Sequence, residues 1–64
     1  MLANSREIKR RLERDGWVLD RIKGSHHIFR HPQTGVVISL PHPKKDLGEG
    51  LMRQIYKLAK WPKD

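Results

Sequence analysis

Trp17-Val18-Leu19-Asp20-Arg21-Ile22, then Lys23-Gly24, then Ser25-His26-His27-Ile28-Phe29-Arg30-His31 decide the fold of this chain. The first run is rich in β-favouring residues, Lys23-Gly24 reads as a turn, and Ser25 to His31 reads as a second strand. Pro32-Gln33-Thr34-Gly35 makes another turn and Val36 to Leu40 a third strand. Strands joined by such short turns pair as an antiparallel meander. Pro41-His42-Pro43 stops the third strand, because proline lacks the N–H that a ladder needs.

Upstream, Asn4 is placed as a helix N-cap with Glu7 three residues on, as in a capping box. Ile8 and Leu12 lie one turn apart, Arg6, Arg10 and Arg14 share the opposite face, and Gly16 follows as a terminator, which predicts a helix over residues 5–15. Downstream, Asp46 is placed to cap a second helix. Leu47, Leu51, Ile55 and Leu58 fall within a narrow arc of it, with Arg53, Lys57 and Lys60 opposite. Gly48 and Gly50 weaken its first turn, so its regular part begins near Gly50, and Pro62 ends it.

The order α-β-β-β-α makes residues 1–64 one α+β domain: a three-stranded antiparallel sheet with both helices on one face, the double-stranded-RNA-binding-domain architecture. The other sheet face stays open to solvent or a partner. If Phe29 and Leu19 point to the helices, strand alternation puts His26, Ile28 and Arg30 on the open face. Val18 and Ile22 join them there, so Val18, Ile22 and Ile28 form a candidate partner surface.

Composition narrows the partners. Lys and Arg total 14 against 7 Asp and Glu, a formal charge of +7, with an isoelectric point near 10.4. Such a balance attracts polyphosphate backbones. No cysteine is present, which fits a reducing compartment. No apolar run approaches the roughly 20 residues of a membrane span, and Met1 to Arg11 lacks the apolar stretch of a signal peptide. A soluble cytoplasmic protein with no membrane partner is expected.

Lys23-Gly24-Ser25-His26 carries the chemistry. A glycine turn places a serine and a histidine at the start of a strand, beside a basic residue. Imidazole titrates near 6.5 and can exchange protons at neutral pH. RNA brings its own nucleophile, the 2′-hydroxyl, and a positioned base that deprotonates it contributes about 10²–10⁴-fold. His26 is the candidate base, with Lys23, Ser25 and Arg30 as candidate phosphate contacts. His27, Lys23 and a water all remain open as the general acid. Lys44 and Lys45, just before the last helix, form a second candidate phosphate site at a helix N-terminus. No metal or other cofactor is expected: His26, His27 and His31 alternate across one strand, and no carboxylates cluster.

Gly24-Ser25-His26, Phe29, Arg30-His31-Pro32 and Pro41-His42-Pro43, together with Asp15-Gly16-Trp17 between the first helix and the first strand, resemble the HicA toxins, also called YcfA-like proteins. The resemblance runs from Ser5 to Ala59; Lys60 departs from it, standing where the family often has glycine. It implies an mRNA-cleaving toxin neutralised by a HicB-like antitoxin, with the catalytic histidine at His26. Two other readings are an RNA-binding module of the same fold that does not cleave, and an adaptor that binds only protein. Salt-dependent RNA binding and cleavage in chelator separate the three.

Overall fold

The computed structural model describes residues 3–62. Helix α1 (Ser5–Arg14) starts at Asn4, whose side chain accepts the Arg6 N–H at 2.8 Å. It stops in a Schellman motif. Gly16, at φ +93, donates to the Glu13 carbonyl (3.1 Å), and Trp17 N–H reaches back to the Leu12 carbonyl (2.9 Å). Trp17 therefore drops into the core with Leu12, and the first strand begins one residue later than its β propensity suggests.

Helix α2 (Glu49–Ala59) ends the same way, with Lys60 at φ 59 in the glycine position. The left-handed region costs a Cβ-bearing residue roughly 1–2 kcal/mol. The compensation is visible: Trp61 N–H bonds the Tyr56 carbonyl at 2.9 Å, and the two rings meet edge-on at 5.2 Å. The Trp61 indole donates to Asp15 at 2.7 Å, while the Arg11 guanidinium lies 4.4 Å from the Trp61 ring centroid. The two helix C-termini are thereby tied together.

The start of α2 departs from the sequence expectation. Its cap is Gly48, not Asp46; the Asp46 carboxylate instead accepts the Gly48 N–H at 3.0 Å in the loop before the helix. Leu47 is buried ahead of the helix, out of phase with it. The buried helical face is consequently Met52, Ile55 and Tyr56, and Leu58 is 36% exposed rather than in the core.

Strands β1 (Val18–Lys23), β2 (His26–Arg30) and β3 (Val37–Pro41) form an antiparallel sheet in the order β1-β2-β3. Phe29 pairs with Leu19 and Ile38, and His27 with Leu40. Phe29, Ile38 and Leu40 meet Ile8 and Leu12 of α1 and the buried face of α2 in one core cluster. The result is the α+β, double-stranded-RNA-binding-domain-like architecture.

A β-bulge in β1 corrects one expectation. Leu19 pairs with Phe29, but the next partners are Arg21 with Ile28 and Ile22 with His27, so Asp20 is the extra residue. One extra residue flips every later side chain. Ile22 therefore lies on the helix side, not with Ile28, while Val18, opposite Arg30, stays on the open face. All of β1 is exposed, because the core sits under β2 and β3.

Candidate functional site

The β1–β2 connection is a two-residue loop, Gly24-Ser25, with φ +60 at Gly24. Positive φ at the first loop position is what a II′ hairpin requires and what glycine supplies without strain. The Ser25 carbonyl accepts the His42 N–H at 2.8 Å, which clamps the turn to the end of β3. His26 opens β2 in register with Lys23 on one side and Pro41 on the other, on the face away from the helices. Lys23, Ser25 and His26 are all exposed.

Arg30 lies four residues along β2, about 13 Å away at the strand rise. It also lies 3.7 Å from Asp20 across the sheet. The structure thus gathers Lys23, Ser25 and His26 at one corner and sets Arg30 apart from it.

Of the four histidines, His26 is the exposed one. His31 packs edge-on against Trp17 at 5.1 Å and accepts the Gln33 N–H at 3.2 Å. His27 faces the helix side, its ring edge-on to His42 at 4.8 Å, and its Nδ1 is buried without a hydrogen-bond partner among the described residues. His42 Nδ1 lies 2.8 Å from the hydroxyl of buried Ser5, which also accepts the Lys44 N–H at 2.8 Å. Ser5 N–H donates to the Lys44 carbonyl at 3.0 Å. Burial holds the His42 pKa below the ordinary imidazole value, and the positive charges of His27, Lys9 and Arg6 push it the same way. The ring and the Ser5 hydroxyl share one hydrogen bond, whose direction follows the ring's tautomer. This network stitches α1 to the segment after β3. The sequence marked His42 as part of a strand stop and of the family resemblance, but gave no sign of its contact with Ser5, which spans 37 residues.

Two grooves flank the corner. A cleft of about 360 Å³ runs from His26 past Val37, Ser39 and Pro41 of β3 to Leu51, Gln54 and Leu58 of α2. A wider groove of about 580 Å³ lies between α1 and residues 42–45 and is lined by Arg6, Lys9, Arg10, Lys44 and Lys45. Lys44 and Lys45 thus face α1. The N-terminus of α2 carries Asp46 and Glu49 instead, so it presents negative charge to an anion.

Among the described residues, no group of three or more His, Cys, Asp or Glu side chains could hold a metal ion. No helix among them is long and apolar enough to cross a membrane. Residues 5–61 match the family model described as the HicA toxin of bacterial toxin–antitoxin systems. No curated protein matches the chain.

Proposed function

The chain belongs to the HicA toxin family, and from that membership and the corner at His26 we propose that it is an endoribonuclease that cleaves mRNA without metal. One observation carries the reading: the exposed histidine stands at a glycine turn with a lysine directly opposite it in the sheet. His26 removes the proton from a ribose 2′-hydroxyl. The 2′-oxygen attacks the adjacent phosphorus, the P–O5′ bond breaks, and the departing 5′-oxygen takes up a proton. Lys23 and the Ser25 hydroxyl offset the charge that builds on the phosphoryl oxygens. The products are a 2′,3′-cyclic phosphate and a 5′-hydroxyl.

A HicB-like antitoxin docking on the open sheet face, over Val18 and Ile28, would cover His26 and exclude RNA in one step. The enzyme would act where mRNA is translated, in the cytoplasm.

Cleavage of a defined RNA in EDTA by the wild type and His26→Ala tests the mechanism. The wild type is expected to cut and to leave cyclic-phosphate ends, and His26→Ala to lose about 10²–10⁴-fold in rate. Cleavage that stops in EDTA and returns with magnesium, or a fully active His26→Ala, refutes it.

A further inference from the structure

We propose that the two grooves form one path for a single RNA strand: a splayed nucleobase in the cleft beside His26, and phosphates of the adjoining nucleotides in the basic groove. The inference rests on the reading of His26 as the base that attacks RNA.

The cleft has the chemistry of a base site. Val37, 42% exposed, and Leu58, 36% exposed, present apolar surface together with Pro41 and Leu51. Two polar groups interrupt it, the Gln54 amide and the Ser39 hydroxyl, and both side chains lack hydrogen-bond partners among the described residues. A ligand with flat apolar faces and a rim of donors and acceptors matches this lining. A nucleobase is such a ligand, and unstacked bases are what sequence-selective RNA recognition reads.

The groove has the chemistry of a backbone track. Glu13, its one carboxylate among the described residues, is bound to Lys9 at 2.9 Å. Arg6, Arg10, Lys44 and Lys45 make no ion pair among the described residues, so their charge is available to a polyanion.

The two grooves approach the same end of β3. Pro41 lines the cleft and its neighbour His42 lines the groove. Between them lies the corner where His26 pairs with Pro41 and Ser25 bonds His42. A strand with its base in the cleft and its phosphates in the groove therefore passes the candidate base. A duplex keeps its bases stacked inside and cannot fill the cleft, so the path selects single strands.

The test uses 2′-fluoro RNA oligonucleotides, which have no attacking hydroxyl, so binding is read apart from cleavage. The wild type is expected to bind the single strand at least 10-fold more tightly than its duplex. Arg10→Glu/Lys45→Glu should weaken binding to every sequence at least 10-fold. It should also lower the slope of log affinity against log salt by about 1.4, since each single-strand phosphate that a cation neutralises adds about 0.7 to that slope. Gln54→Ala should leave the slope unchanged and flatten the preference among oligonucleotides that differ at one base. Equal affinity for duplex and single strand, or unchanged binding in both variants, overturns the path. So does a loss confined to antitoxin affinity, which would assign these surfaces to a protein. If these oligonucleotides bind as expected while ordinary RNA stays uncut, the cleavage mechanism fails and the path stands.

Discussion

His26 and His27 are neighbours in the chain and occupy opposite faces of β2. His26 is exposed beside Lys23 and a glycine turn, while His27 lies half-buried against His42 on the side that Phe29 anchors. A strand alternates its side chains, so one five-residue element serves two purposes without conflict. The open face holds the proposed base and the proposed partner surface. The covered face holds the core. Changes on the two faces should therefore separate stability from activity.

Phe29→Ala is the most damaging change to this picture. Phe29 is fully buried in the cluster that joins both helices to the sheet. Truncating such a ring costs about 3–5 kcal/mol. A domain of this length holds roughly 3–10 kcal/mol in all. Circular dichroism at 25 °C is expected to show a largely unfolded chain. Three residues away on the same strand, His26→Ala should shift stability by less than about 1 kcal/mol, as surface truncations do. A stable Phe29→Ala, or an unfolded His26→Ala, would erase the distinction between the faces.

The alternation that puts Phe29 inside and Ile28 outside was legible, because a glycine turn fixes where β2 begins. The element order and the Asn4 cap were legible for the same local reason. The position of Ile22 was not. The bulge at Asp20 carries no glycine or other local mark, and it turns Ile22 to the helix side after pairing has begun. The face of α2 was misread because Leu47 completes an apolar arc in the sequence but precedes the helix in space. The basic groove was legible in part: Lys44, Lys45 and the arginines of α1 were marked as phosphate contacts, but the two lysines were assigned to a helix N-terminus, and only tertiary packing brings them against α1.

The next effect is on the proposed partner. Ile28 is half-buried on the open face, between Arg21 and Ser39. Ile28→Asp should leave the free toxin folded, because the carboxylate stays in reach of water. Covered by an apolar antitoxin surface it would be desolvated, at a cost of several kcal/mol. Calorimetric titration is expected to show at least a 100-fold loss in affinity alongside a near-normal melting temperature. Normal affinity in the folded variant would move the antitoxin off this face.

The smallest effect belongs to the covered His42 and is read as a pH slope. His42 is held below its ordinary pKa by burial and by the charges of His27, Lys9 and Arg6. The folded state therefore binds a proton less readily at His42 than the unfolded chain does. Its contribution is complete above the unfolded value, about 6.5, and is lost as pH falls through that value toward the lower folded one. The melting temperature should decline as the solution is taken from pH about 7.5 to about 5. His42→Asn offers Ser5 a similar partner atom but does not titrate, so it should flatten the decline while keeping the neutral-pH melting temperature close to wild type. His26→Ala serves as the control, because the exposed ring makes no hydrogen bond in the fold among the described residues and should leave the slope intact. If His26→Ala removes the slope and His42→Asn does not, the proton that matters for folding sits on the open face, and the separation between the two faces of β2 fails.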